Sequence, residues 1–257
     1  MRDILVAKIG GSTLGAHDTT IDDLAELQRR GQSCVVVHGG GAVISEWLQR
    51  LDVPTRFEKG LRVTDAGSLR VVVAVLAGLV NMQLVASLAA RGADAAGLSG
   101  ADEGLLRARI ADPALGYVGE ITGVNPEPLS RLLGQRVIPV IAPVALEYTD
   151  SGPTGQLLNT NADSAAGALA AAIGARHLVF LTDVPGVKAD GEVLPALPAS
   201  RAGELLQAGV IEGGMIPKVE ACLRTASRGT NCVIVDGRQE HALLRVTTGD
   251  PAGTVVG

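Results

Sequence analysis

Two segments near the start of the chain decide its fold: residues 4–11 read ILVAKIGG, and residues 34–41 read CVVVHGGG. Each is a short, mostly aliphatic run that ends at glycines, which is typical of a strand buried on both faces of a parallel sheet. Between them, residues 20–30 carry apolar side chains at helical spacing. The two segments therefore predict a β-α-β unit with a glycine turn after each strand.

The same alternation continues along the chain. It predicts strands at residues 95–98, 137–142, 178–182 and 232–235, and helices at 69–90, 162–173 and 219–226. Two β-like pieces within residues 105–121 indicate an inserted β-hairpin, while the prolines and glycines of 150–155 and 183–198 predict loops. We expect one α/β domain over residues 1–257, with an open, mostly parallel central sheet and helices on both faces. It would have an N-lobe of about 1–174 and a C-lobe of about 175–257.

The composition excludes several classes of protein. Aromatic residues make up 2% of the 257 residues and the formal net charge is -5, so the chain lacks the basic surface and the stacking side chains that bind nucleic acid. The three cysteines form no C-x-x-C pair and indicate buried free thiols. The first residues contain no apolar run long enough for a signal peptide or a membrane span. We expect a cytoplasmic protein without nucleic-acid or membrane partners.

Two lysines indicate phosphate chemistry. The chain has only four lysines among its 22 basic residues, and two of them, Lys8 and Lys218, lie beside paired glycines in KIGG and GGMIPK. An ammonium group gives a point charge to a phosphoryl oxygen, and glycines let backbone N–H groups approach the same anion. The alternative is that both are solvated surface lysines.

Two glycine turns fall where predicted strands end, the edge at which open α/β sheets bind ligands. The first contains Gly10 and Gly11, and the second contains Gly40 and Gly41 before a helix whose N-terminus favours an anion. Tight turns also use glycine without any ligand, so each turn alone is weak evidence.

Polar side chains cluster in further turns at the same predicted edge. Arg62 precedes a predicted helix, and its guanidinium fits a carboxylate, although a surface ion pair would explain it as well. Asn159, Asn161 and Asp163 lie within five positions, which exceeds what a helix cap needs and suits a polar ligand. The segment TDVPG at 182–186 fits a nucleotide-binding loop or an ordinary Asp-Pro-Gly turn.

Other active-site motifs are absent from the sequence. It contains neither a P-loop nor the G-x-G-x-x-G dinucleotide motif. The HGGG that starts at His38 is similar to the oxyanion motif of esterases, but no serine occurs in G-x-S-x-G. His17, His177 and His241 lack the spacing for a metal site or a triad and are expected on the surface or in loops.

Six motifs in order along the chain carry a resemblance to a known family: KIGGS from Lys8, VVHGGG ending at Gly41, KGLRVTD ending at Asp65, NTNAD from Asn159, TDVPGV from Thr182 and GGMIPK ending at Lys218. With them, the whole chain resembles the amino acid kinase family, most of all its members that act on N-acetyl-L-glutamate. The resemblance implies transfer of the γ-phosphoryl group of ATP to the side-chain carboxylate of that substrate, in arginine biosynthesis. It also implies ATP and Mg²⁺ as cofactors, with Mg²⁺ held mainly by nucleotide phosphates.

The resemblance also assigns roles to residues. Lys8 would contact the transferring phosphoryl group, Lys218 the phosphates on the leaving side, and Asp163 would hold both ammonium groups. The substrate carboxylate is already ionised at pH 7, so no general base is needed. The groups expected to bind substrate and phosphates are the backbone N–H groups of Gly10, Gly11, Gly40 and Gly41, the guanidinium of Arg62 and the amide of Asn159. The nucleotide would be bordered by Thr182, Asp183, Gly186, Gly213, Gly214 and Met215.

Assembly and two rival functions follow from the same resemblance. Arginine-inhibited members of the family carry an N-terminal helix before the first strand, whereas strand one here begins about four residues from Met1, so we expect an arginine-insensitive homodimer. One rival is a kinase of aminoadipate or glutamate attached to a carrier protein, but an acidic carrier needs a basic rim that this acidic chain lacks. The other rival is a non-catalytic sensor with the same fold.

Overall fold

An eight-stranded sheet forms the centre of the molecule. The computed structural model describes residues 3–10, 19–58, 60–249 and 253–257, and every structural statement below refers to these residues. The strands are β1 (Ile4–Ile9), β2 (Ser33–His38), β3 (Phe57–Glu58), β4 (Leu61–Arg62), β5 (Ala95–Ser99), β6 (Leu106–Ile110), β7 (Val118–Val124), β8 (Ile138–Ala142), β9 (Val144–Thr149), β10 (Gly152–Thr160), β11 (His177–Thr182), β12 (Lys188–Ala189), β13 (Glu192–Val193), β14 (Ala196–Leu197), β15 (Asn231–Asp236) and β16 (Gly253–Val256).

The order of the central sheet is β14-β16-β15-β11-β1-β2-β8-β5. The six strands from β15 to β5 are mutually parallel, while β16 runs antiparallel to β15. Because the chain moves from β1 to β2 on one side and later places β11 on the other, β1 and β11 flank the point where the strand order reverses. A crevice at such a point is where open α/β sheets bind ligands. The predicted open, mostly parallel sheet is confirmed.

Helices cover both faces of this sheet. They are α1 (Thr20–Arg29), α2 (Gly41–Arg50), α3 (Ala66–Val73), α4 (Asn81–Ala89), α5 (Glu127–Gly134), α6 (Ala162–Ile173), α7 (Ala199–Gln207), α8 (Met215–Ala226) and α9 (Ala242–Thr247). Two apolar clusters result, one beneath α1, α2, α3, α4 and α9, the other beneath α5, α6, α7 and α8. The predicted three layers are therefore present. The three cysteines are buried and free, as their number and spacing predicted.

The predicted hairpin forms, but it belongs to a larger unit. β6 and β7 pair antiparallel, and β9 and β10 join them in a small closed barrel with the order β10-β7-β6-β9. The expectation of a loop at 150–155 is wrong there, since β10 begins at Gly152. The segment 183–198 likewise contains three two-residue strands. The pairings of β6 with β9, β7 with β10 and β14 with β16 join segments distant in sequence, which local patterns do not reveal.

The helix predicted at 69–90 begins three residues earlier and contains a π-helical segment. α3, a π-helical segment (Ala74–Val80) and α4 form one continuous helix, residues 66–89. By length and composition alone this helix could cross a membrane, with a mean hydropathy of 2.2 in its most apolar window. One side packs into the first apolar cluster through Val72, Leu76, Leu84 and Leu88. Only 39% of that window is buried, so much of the apolar surface is open.

Candidate functional site

The site begins with a row of glycines at the carboxyl ends of neighbouring strands. Gly10 N–H donates to Leu181 O at 3.2 Å, and Gly39 N–H donates to Ile9 O at 3.0 Å. One strand further along, Gly237 N–H donates to Thr182 O at 2.8 Å. The sheet ladder thus continues one residue past the strands, and the turns that follow start from fixed positions. Gly11 and His17 lie outside the described residues.

Lys8, Asp163 and Lys218 meet at this edge. Lys8 extends the alternation of Ile4 and Val6 on β1, so its side chain lies on the face covered by α6 and α8. Lys8 Nζ is 2.7 Å from Asp163 Oδ1, and Lys218 Nζ is 3.0 Å from Asp163 Oδ2. The first contact is an ion pair without the alignment of a hydrogen bond, whereas Lys218 donates a hydrogen bond. Two lysines that are 210 positions apart in sequence therefore share one carboxylate.

Local structure on α6 fixes the position of Asp163. Asn161 is the N-cap of α6, where its Oδ1 accepts from Asp163 N–H at 2.8 Å and from Ser164 N–H at 3.0 Å. This cap was one of the readings that the sequence left open for Asn161. Asp163 then lies in the first helical turn, where a negative charge is favourable.

Close packing of α6 on α8 brings Lys218 to Asp163. A Cβ on Gly167 would lie 2.8 Å from Ala221 Cβ, so glycine is needed for this approach. Asp163 lies four residues before Gly167 and Lys218 three before Ala221, hence both face the same gap one turn above that contact. α8 begins at Met215, earlier than the predicted 219, and Lys218 lies in its first turn and also donates to Gly214 O at 2.9 Å.

The electrostatics of the site centre on Lys8. Its side chain is 8% exposed, and burial lowers the pKa of Lys8, with the charge of Lys218 acting in the same direction. The carboxylate of Asp163 opposes both effects and raises that pKa. The ammonium form of Lys8 thus depends on Asp163, since a buried charge without a partner is strongly unfavourable.

Arg62 lies in a second part of the site, with one nitrogen left open. Its Nη2 donates to Ser45 Oγ at 2.7 Å and to Gly41 O at 3.1 Å, and the guanidinium lies 4.6 Å from the centre of the Phe57 ring. Nη1 is buried and has no hydrogen-bond partner among the described residues. A buried donor without a partner is costly, which indicates a place for an anionic ligand group. Burial lowers the pKa of Arg62, but a guanidinium stays charged at neutral pH.

Two adjoining cavities connect Arg62 with Asp163, the carboxylate that both lysines share. One of about 210 Å³ is lined by Gly40, Gly41, Arg62 and Asn159, among others. The other, of about 540 Å³, is lined by Asp163 and the glycines that precede α8. They share the lining residues Gly60, Leu61, Val118 and Asn161, so they form one groove.

The barrel closes one side of this groove. Asn159 Nδ2 donates to Thr64 Oγ1 at 3.0 Å, which ties the end of β10 to the segment that carries Arg62. Thr64 in turn accepts from Tyr117 N–H at 2.7 Å, at the start of β7.

The residues expected at the nucleotide divide into two groups. Gly213 and Gly214 line the groove beside Asp163, and a Cβ on either would meet open space. Thr182 is the last residue of β11, and Asp183 and Gly186 follow that strand. None of the three lines either cavity of this groove. A Cβ on Gly186 would lie 2.6 Å from Thr254 Oγ1, so packing alone requires that glycine. Met215 packs against the second apolar cluster, outside the groove lining.

Sequence reasoning missed several residues that shape the site. Ser45 and Phe57 hold Arg62, Thr64 holds Asn159, and Gly167 permits the helix contact described above. A small residue on an apolar helix was the only signal for Gly167. Among the described residues no group of three or more His, Cys, Asp or Glu side chains could hold a metal ion.

The chemistry open to this arrangement is transfer of a phosphoryl group between two anions. Buried ammonium groups and helix N-termini neutralise negative charge on phosphates, and a guanidinium at the far end of the groove binds a carboxylate. Lys8 and Lys218 are both paired with Asp163, and no described histidine approaches that carboxylate. The groove therefore suits a nucleophile that is already ionised.

Known proteins share this sequence and this fold. An acetylglutamate kinase of Dehalococcoides mccartyi is 44% identical over 256 residues, which cover 98% of this chain and 94% of that protein. An acetylglutamate kinase of Ruegeria sp. strain TM1040 is 43% identical over 259 residues, with coverage of 98% and 89%. Among solved structures, smu.665 from Streptococcus mutans UA159 has a TM-score of 0.83 at 30% identity, covering 100% of this chain and 99% of that one. A model of the amino acid kinase family matches residues 3–236. The chain therefore belongs to the amino acid kinase family, as its six motifs predicted.

Proposed function

We propose that this protein transfers the γ-phosphoryl group of ATP to the side-chain carboxylate of N-acetyl-L-glutamate, a step of arginine biosynthesis. The observation that carries the proposal is the shared ion pair of Lys8 and Lys218 on Asp163, at one end of a groove whose other end holds the buried, unpartnered Nη1 of Arg62. The names of the curated relatives support the same substrate.

Each residue of the groove has a proposed role. Lys8 contacts the transferring phosphoryl group, Lys218 the phosphates on the leaving side, and Asp163 keeps both ammonium groups aligned and charged. Arg62 binds the α-carboxylate of the amino acid and Asn159 its polar groups. The nucleotide lies toward the C-lobe of about 175–257, and the amino acid toward the N-lobe of about 1–174.

ATP and Mg²⁺ fit the donor set that the site offers. The N-terminus of α8 lines the groove, and the two ammonium groups lie beside it on Asp163. Both features suit phosphates. Its carboxylate, Asp163, is engaged by two lysines and is therefore a poor metal ligand. Mg²⁺ held mainly by nucleotide phosphates agrees with this, and the ion would neutralise charge on the phosphates when bound.

A trapping assay tests the activity. The product is an acyl phosphate, which hydroxylamine converts to a hydroxamate with release of phosphate. We expect ATP-dependent hydroxamate from N-acetyl-L-glutamate and far less from glutamate or aminoadipate. A preference for free aminoadipate or glutamate would favour the carrier-linked rival. No product above a Lys8→Ala control, with any of the three, would favour the non-catalytic sensor.

We also propose a homodimer formed through the open side of the helix at 66–89. A groove of about 650 Å³ there is lined mostly by apolar side chains, including Trp47, Leu79 and Met82. A second groove shares Met82 and Ala86 and reaches β5, the strand at the free edge of the sheet. A helix of 24 residues is about 36 Å long, so two copies can cross and bury both apolar stripes around a two-fold axis. This covered face would account for the apolar helix without a membrane, as expected of a cytoplasmic enzyme.

A further inference from the structure

Two buried polar residues, His38 and Asn81, lie beneath the glycine turn that follows β2, and neither lies among the residues assigned to substrate or phosphate. His38 is fully buried, and Asn81 is 3% exposed. His38 is the last residue of β2, and Asn81 is the first residue of α4, directly after the π-helical segment. Burying two polar side chains in an apolar layer costs free energy unless their groups are paired.

The hydrogen bonds around Asn81 define the protonation of His38. Asn81 Nδ2 lies 2.8 Å from Val140 O and 3.2 Å from His38 Nε2. Because the carbonyl oxygen only accepts, this atom of Asn81 must be the amide nitrogen. Its second hydrogen has two acceptors within reach, His38 Nε2 and Leu98 O at 3.4 Å, and Nε2 is the nearer of the two. His38 Nε2 must then accept, so the ring proton is on Nδ1. That nitrogen lies 2.9 Å from Gly39 O, to which it donates.

The same bond fixes the orientation of a peptide plane in the site. In a trans peptide the C=O and the following N–H point in opposite directions, and no peptide in the described chain is cis. Because His38 holds the Gly39 carbonyl toward the buried imidazole, the Gly40 N–H of the same peptide points the opposite way, toward the groove. Gly40 is the N-cap of α2 and lines the groove beside Arg62.

Neighbouring elements pack so closely around His38, Asn81 and the glycine turn that two nearby glycines cannot carry a side chain. A Cβ on Gly97 of β5 would lie 2.0 Å from Asn81 Oδ1, and a Cβ on Gly40 would lie 2.7 Å from Leu76 Cδ2 in the π-helical segment. A π-helical segment shifts the phase of the helix that follows, and such segments are frequent at functional sites. Here the shifted helix supplies both Leu76 beneath Gly40 and Asn81 beneath His38.

We propose that His38 and Asn81 are positioning residues for phosphoryl transfer: Asn81 holds His38 neutral with its proton on Nδ1, and His38 holds the Gly40 N–H toward the groove to bind the reacting anion. The inference rests on the proposed function of that groove. Burial and the nearby charge of Lys8 both lower the pKa of His38, which agrees with a neutral ring.

Two substitutions of His38 separate positioning from packing. His38→Asn keeps a donor near the position of Nδ1, whereas His38→Gln keeps a polar group near Nε2 and more of the volume. We expect His38→Gln to lose about 10²-fold in kcat, as for the loss of one oriented donor, and His38→Asn to stay within about tenfold of the wild type. KM for ATP should change little in either. A merely structural pair predicts the opposite order, because the smaller Asn leaves the larger cavity and the lower Tm.

Wild-type protein supplies a test that needs no variant to be active. The ring nitrogens of the four histidines can be observed by long-range ¹H–¹⁵N NMR, with His38 assigned by its absence in His38→Gln. We expect a neutral ring with the proton on Nδ1 at pH 7 and still at about pH 5.5, one unit below the ordinary histidine pKa. An imidazolium, or a proton on Nε2, would overturn the inference. A wild type that makes no hydroxamate defeats the proposed function instead, whereas active wild type with equal or reversed kcat losses defeats this inference alone.

Discussion

A single carboxylate serves two cations in this site. Lys8 is nearly buried, and its ammonium form is maintained by Asp163 against burial and against the charge of Lys218. Arg62 shows the converse arrangement, since its buried Nη1 has no hydrogen-bond partner in the part of the chain that the structure describes. Substitutions at the two ends of the groove should therefore affect different kinetic constants.

Substitution at the two ends should separate catalysis from binding. We expect Lys8→Ala to lower kcat by about 10²- to 10³-fold with a small change in KM, because its charge acts on the transferring group. Arg62→Ala should instead raise KM for N-acetyl-L-glutamate by about tenfold or more, through loss of a charge-assisted pair. Arg62→Lys, which keeps the charge but not the planar fork, should raise KM less than Arg62→Ala does. Steady-state kinetics with each substrate varied would show this, and reversed effects would contradict the assigned roles.

Asp163→Asn should change the pH dependence of the reaction. Asp163 raises the pKa of Lys8, so its removal lets burial and Lys218 lower that pKa further. Activity needs the ammonium form, and therefore the alkaline fall of kcat/KM should move to lower pH in the variant. A profile measured from neutral to alkaline pH on both proteins checks the direction. An unchanged or higher alkaline limit would show that Lys8 does not depend on this carboxylate.

At the scale of single residues, the sequence revealed the charged residues of the site but not the residues that hold them in position. The glycine pairs beside Lys8 and Lys218, and the excess of polar groups around Asp163, were sufficient to nominate the ion-pair cluster. Ser45 and Asn81 carry no such local signal, because their function depends on partners 17 and 43 positions away. A three-dimensional fold is needed before such partners can be found.

Among the elements, the contact between α6 and α8 decides whether the two lysines meet. Its closest point, Gly167 against Ala221, allows no additional methyl group. The helices therefore set the distance between Lys218 and Asp163 through small residues well away from the charges.

Gly167→Ala should separate the helices and impair catalysis. The new Cβ would meet Ala221 Cβ, so we expect a loss of about 1–3 kcal/mol in the free energy of unfolding from overpacking and a lower kcat. The second substitution Ala221→Gly should restore both. Gly203→Ala is the matched control, since it lies in α7 with nothing within 4 Å of the added Cβ and should be neutral or stabilising. Urea denaturation and kinetics on the wild type and the three variants test this, and equal effects at 167 and 203 would contradict it.

A second element contact should make stability depend on pH. His241 precedes α9, and its Nδ1 lies 2.7 Å from Asp23 Oδ1 on α1, while Asp23 Oδ2 accepts from Leu243 N–H at 3.2 Å. The hydrogen bond and charge of Asp23 raise the pKa of His241 above its ordinary value, with Glu240 and Asp22 acting in the same direction. The stabilisation is complete below the ordinary pKa of about 6.5 and is lost as pH rises through the folded-state value.

The measurement is Tm against pH for the wild type and His241→Gln. We expect the wild type to be the more stable at about pH 6 and the two curves to converge at about pH 8.5 or above. Parallel curves would show that the imidazolium contributes nothing. From the sequence we expected His241 on the surface or in a loop, and its side chain is 51% exposed. The partner Asp23 was not foreseen, since it is 218 residues away.

The boundaries of helices and strands were well predicted where a segment has a single clear hydrophobic pattern. Six of the eight strands of the central sheet match the predicted ranges within about two residues, most of them because both faces are buried and the aliphatic runs are unbroken. Of the other two, β14 lies in a segment predicted as a loop, and β16 was not predicted. The π-helical segment and the barrel were missed for a physical reason. A π turn changes backbone hydrogen bonding without changing composition, and the barrel depends on main-chain pairing between β6 and β9.

On the scale of the whole molecule, one copy leaves the apolar side of the helix at 66–89 open. Met82 projects there with 69% of its surface exposed. Exposed patches of this kind mark interfaces more often than free surface. The proposed dimer predicts a mass of twice 26.2 kDa in solution.

Met82→Glu should convert that dimer to a monomer. A charge on each copy would face the apolar stripe of the other, and burying it unpaired is costly. Sedimentation equilibrium measures the mass directly. Val210→Glu is the control, because Val210 is also exposed but lies outside both grooves of this face. A wild type that sediments at 26.2 kDa would contradict the proposed assembly.

The glycine row at the carboxyl ends of the strands has a consequence for how such enzymes diverge. Its bonds run from Gly39 to β1, from Gly10 to β11 and from Gly237 to the end of β11, and all of them join main-chain atoms. Substitutions of side chains elsewhere do not break these main-chain hydrogen bonds. Substrate specificity can therefore change through the loops around the groove while the glycine turns keep their conformation. Redesign of this groove for another acidic substrate should accordingly begin with Phe57, Leu61 and Asn159 and leave the glycines untouched.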